Sequence, residues 1–80
     1  MSKQEIIEII NVALAEEFEV KLSDITPDAN IKETLDLDSL SLVDMVALVE
    51  NVAGVEIKST DVGSIKTFDH LYEFVRERQN

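Results

Sequence analysis

The sequence predicts an all-α fold, a small four-helix bundle with three main helices and one short one. Three observations predict it. Among 80 residues there are only two Gly and one Pro, so the chain has few turn formers and favours long regular elements. Apolar residues recur at helical spacing in three separate stretches. Each of those stretches is preceded by a residue able to cap a helix.

The elements follow in order. Ser2 with Glu5 three residues later reads as a capping box. Behind it Ile6, Ile10, Ala13, Leu14 and Phe18 repeat at helical spacing, which predicts a helix over Lys3–Phe18 with Glu8, Asn11, Glu16 and Glu17 on its other face. Between residues 19 and 38 the periodicity breaks around Pro27 and several small polar residues. Leu22, Ile25, Ile31 and Leu35 are expected to pin this long connection to the core, which has room for a short helical turn. A connection of that length in so small a domain is unusual and often functional. A second helix is expected to start at Ser39 or Leu40 with Asp38 as its N-cap. It should end near Ala53, because Gly54 then occupies the position where a left-handed residue closes a helix. A short third helix over 60–64 is weakened by Gly63. Thr67 caps the last helix, 68 to about 78, whose stripe is Phe68, Leu71, Tyr72 and Val75. Arg76 and Arg78 lie at its C-terminal end, where positive charge is favoured. No repeat or linker interrupts the chain, so residues 1–80 read as one domain.

Composition narrows the functions. The chain is 45% hydrophobic but has only three Phe, one Tyr and no Trp, so its core is aliphatic. Without cysteine it can form no disulfide, thiol nucleophile or thiolate metal site. With 17 acids against 7 bases, its net charge of −10 opposes binding to nucleic acid or to an anionic membrane. No apolar run is long enough to span a membrane, and the N-terminus lacks the pattern of a secretion signal; a cytoplasmic monomer is the default expectation. Between positions 32 and 58 there is no Lys or Arg, while Glu33, Asp36, Asp38, Asp44, Glu50 and Glu56 all fall there. Such a block suits partner enzymes with basic patches.

The second helix carries more apolar surface than one core contact needs. At 100° per residue Leu42, Met45, Val46, Val49 and Ala53 make a core face, while Leu40, Val43, Asp44, Ala47, Leu48 and Asn51 lie roughly opposite. Either the first helix or the long connection covers this second face, or it docks a partner. Ser39 opens that helix. As an enzyme nucleophile it lacks a base, because the only histidine, His70, falls in the last helix, and the flanking carboxylates oppose developing negative charge. A calcium loop starting at Asp36 would put Leu40 and Ala47 at ligand positions that require oxygen, so no metal site is expected. A modification site fits better, since free N–H groups and the helix dipole favour a phosphate ester there.

"LDLDSLSLVDMVALVE" resembles the phosphopantetheine-attachment segment of acyl carrier proteins, in which Asp-Ser-Leu opens the second helix of a four-helix bundle. "IKTFDHLYEFV" resembles the closing segment of the same family, and the likeness extends over nearly all of the chain. The resemblance implies a non-catalytic carrier. Ser39 would bear a 4′-phosphopantetheine arm supplied from coenzyme A by a phosphopantetheinyl transferase, with Asp38 and Leu40 as its motif neighbours. Acyl-transferring or condensing enzymes of fatty-acid or polyketide-type biosynthesis would dock on Leu40, Val43, Ala47 and Leu48, with Asp44 and Glu50 at acidic positions of the family. The chain departs from the family in having Asp36 where Gly is common, and Ser41 and Asn51 where acids are common. Neighbouring possibilities are a peptidyl or D-alanyl carrier, or an unmodified acidic interaction module.

Overall fold

A computed structural model describes residues 2–79. Three long helices, α1 (Lys3–Phe18), α3 (Ser39–Ala53) and α5 (Phe68–Gln79), are joined through two short ones, α2 (Ile31–Leu35) and α4 (Ser59–Val62). Helix α1 packs against both α3 and α5. The core is aliphatic with two rings: Ile6, Ile10 and Leu14 of α1 meet Met45, Val49 and Ala53 of α3 and Phe68, Leu71, Tyr72 and Val75 of α5. Burial of this set, rather than helix propensity, holds such short helices together.

Local chemistry sets the boundaries. The Ser2 hydroxyl accepts from the Glu5 N–H while the Glu5 carboxylate accepts from the Ser2 N–H, the reciprocal box that starts α1. Helix α3 ends on Gly54 at φ 69°, and the Gly54 N–H donates to the Glu50 carbonyl at 2.9 Å. A Cβ added at Gly54 would meet nothing within 4 Å. Gly54→Ala should therefore lower stability through backbone strain alone, by about 1–2 kcal/mol in chemical denaturation.

The connection over residues 19–38 is more ordered than expected. It contains a 3₁₀ turn at Leu22–Asp24 and the five-residue helix α2; the short helix expected near residue 60 is α4, in the later connection between α3 and α5. The Asn30 side chain accepts from the Glu33 N–H at 3.0 Å and starts α2, and Asp36 closes it at φ 53°. Asp tolerates that left-handed region but Gly occupies it freely, so the Gly that the resemblance leads one to expect at this position would suit the turn better than Asp36. Ile25, Ile31 and Leu35 are buried as expected, but Leu22 is not: it faces solvent from the 3₁₀ turn, 54% exposed. Two departures concern α1. Ala13 and Phe18 are only half-buried, and Asn11, expected on the outer face, accepts a hydrogen bond from the Tyr72 hydroxyl.

A backbone seam fixes α2 against the start of α5. The Ile31 N–H donates to the Lys66 carbonyl at 2.9 Å, and the Asp69 N–H donates to the Pro27 carbonyl at 2.8 Å. Helix α4 starts one residue before the expected 60–64 and ends two residues short of it, at Val62 just ahead of Gly63. Thr67 caps α5 through its hydroxyl, which accepts from the His70 N–H at 3.2 Å. The seam holds α2, α4 and residues 65–67 around the N-terminal end of α3, where the sequence motif lies.

Candidate functional site

Ser39 is the first residue of α3 and is exposed. Capping is done by its neighbour: Asp38 Oδ1 accepts from the Ser41 N–H at 2.8 Å, and the Asp38 carbonyl accepts from the Leu42 N–H at 2.9 Å. The hydroxyl of Ser39 is thereby released from any structural task at the helix start. The bond from the Ser41 N–H, ahead of the Ser41 side chain, holds the Asp38 carboxyl below the usual carboxylate range despite some opposing desolvation. With the folded value below the unfolded one, the stability Asp38 contributes is present above the unfolded value and is lost as pH falls through the folded one. Asp38→Asn keeps the capping oxygen and removes the proton. The variant should match the native melting temperature at neutral pH and lose less of it than the native chain does below about pH 4. Parallel thermal melts across that range read the difference.

Exposed apolar side chains follow the serine along α3. Leu40 and Val43 are 77% and 66% exposed, the two most exposed large apolar side chains among the described residues. Asp44, Ala47 and Asn51 are also exposed and continue the same side of α3. Two of the residues expected there lie differently. Leu48 is half-buried and packs on the core. Glu50 is half-buried and its Oε2 accepts from the Ile57 N–H at 2.8 Å, tying the connection after α3 back onto the helix. On the inner side Met45, Val49 and Ala53 are buried, whereas Leu42 and Val46 are half-buried at the edge of the core.

One helical turn beyond Ser39, Leu42 lines a cavity of about 400 Å³ between α3, α2 and α4. Ile31, Val62 and Ile65 supply further apolar wall, and the exposed Lys32 and Lys66 stand at its edge. Sequence reasoning did not find this cavity. Its residues come from four separate segments, and only the seam between residues 27–31 and 66–69 brings them together.

The arrangement offers no base to Ser39. The Nδ1 of His70 accepts from the Lys66 and Thr67 N–H groups, each at 3.4 Å, and so helps to cap α5. Among the described residues no group of three or more His, Asp or Glu is disposed to hold a metal ion. What the geometry provides is an exposed hydroxyl at a helix N-terminus, where a phosphodiester is favoured, with exposed Leu40 and Val43 following it and a cavity lined by Leu42 one turn on.

Comparison with known proteins agrees with that geometry. Residues 8–75 match the family described as "Phosphopantetheine attachment site". The acyl carrier protein of Rubrobacter xylanophilus is 33% identical over 79 residues, covering 99% of this chain and 98% of the relative. That of Lactobacillus johnsonii is 31% identical over the whole of both chains. A solved structure of the acyl carrier protein from Enterococcus faecalis superposes with a TM-score of 0.80 at 24% identity, covering 98% of this chain and 99% of that one, and so shares the fold.

Proposed function

The chain belongs to the acyl carrier protein family through its phosphopantetheine attachment site, and on that premise we propose that Ser39 takes up 4′-phosphopantetheine from coenzyme A and carries acyl intermediates of fatty-acid or polyketide-type biosynthesis. It is a carrier, not a catalyst. When attached, the arm supplies the thiol that this cysteine-free chain lacks and that holds the acyl group as a thioester. The chain's own residues do the rest. Ser39 offers the hydroxyl, Asp38 fixes the helix start so that this hydroxyl points outward, and Leu40, Val43 and Ala47 give partner enzymes an apolar surface to cover.

The observation that carries this reading is the position of Ser39, exposed at the first residue of a 15-residue helix and flanked by two largely exposed apolar side chains. Leaving such side chains in water is unfavourable, and a transferase or condensing enzyme that covers them recovers that free energy. Asp44 and the neighbouring acids fit partners with basic patches. Glu50 is left a smaller part in docking, because its carboxylate already accepts from the Ile57 N–H. On this reading residues 1–80 act as one carrier domain working as a monomer in the cytoplasm, and no helix among the described residues is long and apolar enough to cross a membrane. The cavity beside Leu42 provides shelter for a carried chain between visits to partners. The test is the intact mass after incubation with coenzyme A and a promiscuous phosphopantetheinyl transferase. One added phosphopantetheine is expected, and an unchanged mass overturns the reading.

A further inference from the structure

Charge around the cavity runs against the charge of the chain. The chain has 17 acids and 7 bases, yet the cavity is lined by Lys32 and Lys66 and by no Asp or Glu. Neither lysine has a carboxylate within ion-pair distance among the described residues. Glu33 of α2 and Asp36 at its end stand close in sequence to Lys32, yet neither comes within ion-pair distance of Lys32 or Lys66. Asp61 of α4 pairs with Arg78 at 3.4 Å and accepts from the Lys58 N–H at 3.1 Å, while Asp69 and Glu73 of α5 pair with Lys3. Two ammonium groups therefore stand at the edge of an apolar cavity with no counterion, in a molecule that has acids to spare. Solvated lysines elsewhere in the fold do not show this arrangement: Lys3 is paired, and Lys21 and Lys58 lie outside the cavity.

We propose that Lys32 and Lys66 form an anion site at the mouth of this cavity, which receives a negatively charged group delivered from Ser39, one helical turn before the cavity-lining Leu42, and disfavours a cationic one. The inference rests on Ser39 as the point of attachment. Two sources share that chemistry: the phosphodiester at the root of the arm, and a carboxylate at the far end of a carried acyl group. In either case the apolar wall of Ile31, Leu42, Val62 and Ile65 takes the methylenes, and the lysines hold the charge where the cavity opens. An aminoacyl cargo would bring its ammonium against two like charges, which is unfavourable. The site thus favours acyl over aminoacyl or D-alanyl loads.

The absence of cysteine makes the test independent of any transferase. Ser39→Cys can be alkylated at a single thiol with linkers of equal length that end in a carboxylate, a methyl or an ammonium group. At low ionic strength the carboxylate conjugate should melt about 2–4 °C above the methyl conjugate and the ammonium conjugate below it. The double variant Lys32→Gln with Lys66→Gln should erase that order, and high salt should compress it. In a parallel arm, native chain carrying the unloaded phosphopantetheine is compared with unmodified chain. A rise in melting temperature that needs both lysines assigns the anion to the phosphodiester, and a spread confined to the linker series assigns it to the cargo. Equal melting of all three conjugates, together with no lysine-dependent change on phosphopantetheine addition, overturns the proposal. Failure of the transferase to label Ser39 would sink the carrier reading alone, since the conjugates still decide whether the anion site exists.

Discussion

Ser39→Ala should melt like the native chain and gain no mass when incubated with coenzyme A and a phosphopantetheinyl transferase. The two halves of this expectation have separate causes. Folding is spared because the cap of α3 is the Asp38 carboxylate, bonded to the Ser41 N–H at 2.8 Å, and because Ser39 is exposed and Ala is the best helix former. Labelling is lost because no other serine combines an exposed hydroxyl with the start of a long helix. The Ser2 hydroxyl is held in the capping box of α1, and that of Ser64 donates to the Asp61 carbonyl at 2.9 Å. Ser59 opens only a four-residue helix, Ser23 lies in a 3₁₀ turn, and the Ser41 backbone is the donor to the cap. The expected effect is complete loss, read by intact mass spectrometry beside a circular-dichroism melt. A labelled Ser39→Ala would remove the serine from the centre of the function.

Much of this site was legible because its determinants are local. The Asp38 cap, the start of α3 at Ser39, its end before Gly54 and the stripe of α5 each depend on residues within a few positions of one another. Helical periodicity and cap chemistry report such features directly. A short helical turn fits the connection before α3, but its place at α2 is not legible although Asn30 and Glu33 stand three apart as a cap pair, because Pro27 and scattered apolar residues mask five helical residues. Leu22 was misplaced for a related reason: in a one-turn 3₁₀ segment, composition does not say which side chain faces the core, and Ile25 takes that place. Leu48 and Glu50 illustrate a limit of the helical wheel. It orders side chains around an axis, but whether a flank is open depends on what α1 and the connection after α3 place beside it. The cavity with its two lysines lay beyond sequence reasoning altogether, because residues 30–32 and 59–66 meet only through the backbone seam.

The largest loss of stability on α3 should come from its inner side, and the largest loss of partner recognition from its outer side. Met45 is 3% exposed and packs in the buried core, so Met45→Ala leaves a cavity that close neighbours fill only in part. A loss of about 2–5 kcal/mol is expected in chemical denaturation, a large share of what a domain of this size has. Val43→Ala and Leu40→Ala remove side chains that are mostly in water, and should change stability by less than about 0.5 kcal/mol. Ala is the better helix former at both positions, which offsets the little packing lost. Both outer variants should nevertheless slow phosphopantetheine transfer by about tenfold, because apolar side chains that become buried at the middle of an interface carry much of its energy. Leu48→Ala should fall between the two groups, since Leu48 is half-buried against the core. Denaturation curves and transfer rates measured on the same four variants separate the possibilities. Native transfer rates for Val43→Ala and Leu40→Ala would leave the outer side of α3 without a role in docking. Destabilisation of those two variants matching that of Met45→Ala would mean that α3 is covered on both sides, and the exposed pair beside Ser39 could not then be what partners recognise.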